Sequence, residues 1–248
     1  NEGTLNNNNT INNGGTFDNN DFLTNAVTIV NLGSGTLNNN SSLANNGTLT
    51  NSASGALNNS GILTNTGSIA NAGTLTNQTG GTLSSFTTFT NTGNFNNDGT
   101  FDNNGTLTSD GTIVNTGAFG VAGTVAGTGS FTQTAGSLIV NGTMTQGSLS
   151  ITGGTVGGGG TINGNLAVSA GGAIGPGNSP GTLTINGDLI IDTGVLSLEQ
   201  GDILNVSGLF QIGAGASVEL AFDSFTSNLI DLSSFFTVSQ PNFLAGFA

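Results

Sequence analysis

Few side chains in this sequence could do acid–base or metal chemistry. Asp98 with Asp102, and Glu199 with Asp202, are close-set carboxylates in a chain with 13 acids and no Lys, Arg or His. Two placed carboxyls can hydrolyse a glycosidic bond, one as acid and the other as base or nucleophile. Polysaccharide cleavage is therefore the chemistry these pairs suggest. Other reactions lack an indispensable group: Ser-His-Asp hydrolysis, Schiff bases and His-ligated metals each need a residue that is absent. Cys is absent too, so disulfides and thiolate sites are excluded and the redox compartment is unread. Calcium suits an all-oxygen inventory, but Gly157-Gly158-Gly159-Gly160 is not followed by an Asp and no Gly-Gly-x-Gly-x-Asp repeat occurs. No Gly-rich run leads into a Lys, so a phosphate loop is excluded.

The net charge of -13 and pI near 4.1 bear on partners. Without a cation there is no basic patch for nucleic acid and no attraction to an anionic membrane surface. No stretch approaches the roughly 18 apolar residues of a membrane helix. Asn1-Glu2-Gly3 reads as a mature or trimmed end without a signal-peptide pattern. Disorder combines low hydrophobicity with high charge density; here the apolar share is 34% and the charged share 5%.

The elements that must position any site come from a repeat. Leu5, Ile11, Phe17, Leu23 and Ile29 are six apart, and the series resumes at Leu37, Leu57 and Leu83 after three steps of eight. It continues through Phe89, Phe95, Phe101, Leu107, Ile113, Phe119, Val125 and Phe131, then from Leu138 to Met144 after a step of seven. The unit reads Asn-x-Gly-Thr-Φ-x, where Φ is a large apolar residue, as in Asn71-Ala72-Gly73-Thr74-Leu75-Thr76. Thr-Φ-x favours an extended strand. Asn-x-Gly is turn chemistry, because Gly tolerates positive φ and Asn bonds its own backbone. Alternation along the strand sends Φ inward and its neighbours outward, with Asn two after Φ leaning in at the corner. Stacked Asn amides can then form hydrogen-bonded ladders along the axis. Period six does not fit a helix, and a Gly in every unit opposes one.

The expected fold is all-β: a parallel β-solenoid, triangular, with about three hexads, or 18 residues, per coil. Phe101 and Phe119 then stack, with Leu83 below them, whereas two hexads per coil would set Asp98 against Asp110. Residues 1 to 170 make roughly nine coils, about 45 Å of axis at the inter-strand spacing. In this geometry Asp98 lies between Gly80 and Thr116, and Asp102 between Ser84 and Gly120, so no carboxylate array builds up. No Trp or Tyr platform exists for a sugar. The acids read as solvated surface groups, and no residue is assigned a catalytic, cofactor-binding or metal-ligating role. Thr48-Leu49-Thr50, Thr88-Phe89-Thr90, Thr106-Leu107-Thr108 and Thr143-Met144-Thr145 share one face. Thr10-Ile11-Asn12, Thr28-Ile29-Val30, Ser68-Ile69-Ala70 and Thr124-Val125-Ala126 interrupt that Thr array.

Four regions follow. Residues 1–150 are the Asn/Gly/Thr hexad solenoid, and 151–181 are a Gly-rich transition holding two of the three prolines. Residues 182–222 are longer strands punctuated by Gly187, Gly194, Gly201, Gly208 and Gly215. Residues 223–248 carry Phe225, Phe235, Phe236, Phe243 and Phe247, which read either as a cap on the last coil or as a contact with another copy.

The run Gly175-Pro176-Gly177-Asn178-Ser179-Pro180-Gly181-Thr182-Leu183-Thr184-Ile185-Asn186-Gly187-Asp188-Leu189, followed by Asp202-Ile203-Leu204-Asn205-Val206-Ser207-Gly208, resembles the repeat of autotransporter passenger regions and large adhesin-like bacterial exoproteins. The resemblance covers about residues 171–222. It implies a β-helix secreted by, or displayed on, a bacterium, and it does not imply an enzyme. The chain departs from it in lacking Lys, Arg and any membrane-barrel segment. The expected function is a structural extracellular protein, a subunit or shaft of a surface fibre. The repeat begins at Gly3-Thr4-Leu5 without a capping element: either the chain is a piece of something longer, or a neighbour covers the bare strand edges in head-to-tail self-association. The alternative is an adhesin or binding module for a glycan or cell surface on a β-helix stalk. No cofactor, nucleic acid or membrane insertion is expected.

Overall fold

The computed structural model describes residues 1–177 and 180–221. Among these residues there are strands and turns and no helix. The strands form three sheets of 12, 11 and 11, each strand bonded to those three before and three after it in the chain. All pairings are parallel, so the chain winds round three faces. The A face begins with Leu5–Asn7 and Phe22–Asn25, the B face with Thr10–Asn13 and Thr28–Asn31, and the C face with Thr16–Asn19 and Thr36–Asn39. This is the parallel β-solenoid that the hexads predict.

Coil length departs from a constant 18. Leu5 stacks on Leu23, a step of 18, but Leu23 stacks on Leu43 and Leu43 on Leu63, steps of 20. The longer coils are those containing an eight-residue step. There the two additional residues enter a corner and close a turn: Gly35, Gly55 and Gly81 donate their N–H groups to the carbonyls of Leu32, Ser52 and Gln78 at 2.7, 2.7 and 2.8 Å. The strands stay in line because the excess is absorbed outside them. Past the Gly-rich stretch the coils widen again: Ile162 stacks on Ile185 and Leu196 on Val218, steps of 23 and 22. Strands continue through that stretch, among them Thr155–Gly157, Thr161–Asn163 and Leu166–Val168, so the stack is unbroken there.

The core is one column of Φ side chains per face. Phe89, Phe95, Phe101, Phe119 and Phe131 are fully buried. Phe95 meets Phe101 at 4.9 Å between ring centres, and Phe101 meets Phe119 at 4.7 Å, tilted edge to face, the arrangement aromatic quadrupoles favour. Leu83, Phe101 and Phe119 stack as the spacing predicts.

The repeat glycines serve a different purpose from the one their type suggests. Gly47, Gly67 and Gly99 do not adopt positive φ; a Cβ on any of them would run into the backbone carbonyl of the coil below, at Val27, Gly47 and Gly81. Close approach of stacked corners requires them. Positive φ occurs at Gly33 and Gly80 in two of the longer turns and at a few repeat glycines, Gly3, Gly136 and Gly154.

Candidate functional site

The carboxylates singled out by spacing do not assemble into a reacting pair. Asp98 lies on the corner between the C and A faces, and its Oδ1 accepts the Thr116 hydroxyl at 2.6 Å. Asp102 lies on the A face between Ser84 and Gly120. Asp202 is buried, and both its oxygens are engaged: Oδ1 accepts the Gly181 N–H and Oδ2 the Glu199 N–H, each at 2.8 Å. It closes the turn after Val195–Glu199. Glu199 and Asp202 line a shallow groove of about 220 Å³ with Ile139, Thr155, Ala173 and Pro176. With Asp202 bound to two backbone N–H groups, the groove has one exposed carboxylate. Among the described residues, no three acids approach closely enough to hold a metal ion. Asp110, which the spacing did not single out as a site, accepts both the N–H and the hydroxyl of Thr128 at 2.9 Å. The backbone hydrogen bond first, and the hydroxyl second, hold its carboxyl below the usual carboxylate range.

Three ladders of amides occupy the corners, as the Asn spacing predicts. On the C side Asn1, Asn19, Asn39, Asn59, Asn77, Asn97 and Asn115 pass one bond each to the next, at 2.7 to 2.8 Å, and the row ends on Gln133 at 3.1 Å. The B-side row runs from Asn13 to Asn91 and ends on the Ser109 hydroxyl; the A-side row runs from Asn7 to Asn65 and ends on Ser85. In every rung the Nδ2 of the earlier coil donates to the oxygen of the later one. The second Nδ2 proton goes to a backbone carbonyl in that later coil, as from Asn7 to Thr28 at 2.7 Å. Within these rows each buried amide is thus matched on both sides, as burial in a dry corner demands.

The first coil is less enclosed than those that follow it. Its strands pair on one side, and Leu5, Ile11 and Phe17 are partly buried where their successors are fully buried. The oxygens of Asn7 and Asn13 turn back to the N–H groups of Asn9 and Gly15 at 3.2 Å.

The B face holds the Thr triplets together, as expected. It also shows what counting triplets misses. The first outward position of its strands reads Thr10, Thr28, Thr48, Ser68, Thr88, Thr106, Thr124, Thr143, Thr161 and Thr184, a hydroxyl column unbroken through ten strands and ended by Asn205 on the eleventh. The interruptions all fall in the second outward column, at Asn12, Val30, Ala70 and Ala126. Residues 223–248, read as a cap or contact, and Asn178 and Ser179 of the exoprotein-like motif, lie outside the described residues. No helix among the described residues is long and apolar enough to cross a membrane. Set against family models, curated proteins and solved structures, the chain matches none.

Proposed function

We propose that this protein is structural: a β-solenoid shaft or fibre subunit displayed outside a bacterial cell, joined end to end through its coil edges. The observation that carries this reading is the continuous stack: three parallel sheets of 12, 11 and 11 strands share one core, and amide rows pass from coil to coil. A stack that shares one core gains length coil by coil, and unlike ends meeting head to tail give an open filament. The likeness of residues 171–222 to exoprotein repeats supports the extracellular setting. The structural role also accords with carboxylates that do not pair. Electron microscopy of the protein over a dilution series tests the reading. Filaments whose subunit repeat is at least about 50 Å, the length of eleven coils at the inter-strand spacing, are expected. Short single rods at every concentration overturn it.

A second reading, an adhesin on a β-helix stalk, is favoured by the groove beside Glu199 and Pro176, a concavity on the A face. Glycan arrays probed with the whole chain test it, with retention lost on filling the groove by Ala173→Phe.

A further inference from the structure

We infer that the B face is a lateral docking surface for the B face of a second copy of this chain. Charge selects the face. The protein carries 13 acids and no basic side chain, so no face can offer a salt bridge and carboxylates brought together repel. The A-face strands carry Asp102, Glu199 and Glu219, and the C-face strands carry Asp18. Asp21, Asp98 and Asp192 sit on the corner between those two faces. None of the described B-face strands, from Thr10–Asn13 to Ile203–Val206, contains a carboxylate. Among the described residues the corner between A and B holds only Asp202, which is buried and bonded. The corner between B and C holds Asp110 and Asp188, whose oxygens accept N–H groups from Thr128 and Leu209. Among the described residues B is the face whose strands bring no carboxylates together, with Asp110 and Asp188 at one rim.

The composition of the face points the same way. Strand propensity alone would enrich Thr equally on three faces. The matching column on A reads Phe22, Ser42, Ile62, Thr82, Thr100, Ala118, and that on C reads Thr16, Thr36, Ala56, Thr74, Asn94, Thr112. Only B keeps a hydroxyl through ten successive coils. Thr rows on facing sheets interdigitate methyl to methyl and pair hydroxyl to hydroxyl. Exposed Val27 and Phe86 on one rim and Leu32 on the other extend the apolar contact. Ten coils by four residues cover about 570 Å² per copy, or about 1,100 Å² for the pair, at the lower limit of specific interfaces. The pairing is therefore weak, reversible and strengthened by salt, which screens the charge of the approaching copies.

This inference stands apart from end-to-end growth: it concerns width, and the other concerns length. The test uses the full chain in sedimentation velocity across concentration, at low and high salt, with single-cysteine cross-linking in a protein that has no Cys of its own. Dimers that increase with salt are expected. Under oxidation Thr106→Cys should cross-link, and Asn94→Cys on the C face should not. Thr48→Glu, Thr88→Glu and Thr124→Glu together should weaken association by about a hundredfold, since opposed like charges cost several kcal/mol. By microscopy, filaments of that variant should be single rods and those of the parent paired. Cross-linking through Asn94→Cys as readily as through Thr106→Cys overturns the proposal. So does association unchanged by the glutamates in a variant with parental circular dichroism. A strictly monomeric protein whose B face instead retains a neutral polysaccharide or growing ice also overturns it and gives the face to that occupant.

Discussion

The C-side corner column changes its chemistry half-way along the molecule while the fold continues. From Asn1 to Gln133 it is a row of amides; from Ile151 through Val168 and Ile191 to Ile212 it is aliphatic. The A-side column changes in the same way, from Asn103 to Val121 and Val140. A solenoid corner thus accepts either amide over amide or methyl over methyl. The two solutions differ in what they demand. Apolar stacking is non-directional and scales with area, about 25 cal/mol per Å², so it tolerates coils of 21 to 23 residues, as between Leu166, Leu189 and Phe210. Amide rungs are directional and fix each coil against its neighbours. The seam between the two is imperfect: the Oδ1 of Asn103, between Ser85 and Val121, is buried without a hydrogen-bond partner.

Breaking a rung within the amide region should have the largest effect. Asn97 accepts from Asn77 and donates to Asn115 and to the Ala118 carbonyl, each at 2.8 Å. Replacing it as Asn97→Leu strands several buried polar groups at about 1–3 kcal/mol each, so a loss of about 3–5 kcal/mol is expected in urea unfolding. In the same column but the aliphatic region, Ile151→Val should cost about 0.5–1.5 kcal/mol. Equal costs at the two positions would show that directionality contributes nothing. At the seam, Asn103→Leu removes one bond, to the Thr124 carbonyl at 2.8 Å, together with the unpaired oxygen. Its net effect should stay below about 1 kcal/mol of either sign, and a loss matching that of Asn97→Leu would sink the account of the seam.

The smallest effect belongs to the surface. Asp110 has its folded-state pKa lowered by Thr128. Its contribution is therefore present above the ordinary carboxylate range and fades as pH falls below about 4, through the folded value. Asp110→Asn should reduce the acid sensitivity of the thermal midpoint slightly and leave neutral stability almost unchanged. A steeper acid transition in the variant would contradict the assigned hydrogen bonds.

Much of this architecture is legible in the hexad. Apolar residues six apart in short Thr-flanked units dictate the three buried columns, and Asn two after each Φ dictates the ladders. Coil length is not legible from the period alone, because the eight-residue steps change the coil while leaving the strands in place. The glycine role is also hidden: the residue type announces backbone freedom, but the requirement at Gly67 comes from the carbonyl of another coil. The Thr column is masked for a related reason. Thr-x-Thr triplets mix two outward columns, and only pairing across coils separates the unbroken one from the interrupted one. The carboxylate candidates fail because neighbours in sequence are parted by a corner or committed to a turn, as Asp98 and Asp202 show.

The turns at residues 32–35, 52–55 and 78–81 have a consequence for how the chain finds this arrangement. A chain of identical hexads could slip by one unit, rotate each coil by a third of a turn, and still set Φ on Φ and Asn on Asn. Many folded states would then lie close in energy, the condition of a frustrated landscape. The longer turns act as fiducial marks. Two sit on successive coils at the corner between B and C, and the third at the corner between C and A. A slip would stack strand register against turn register and forfeit rungs on both sides. Uniqueness of the fold resides in the places where the repeat is broken.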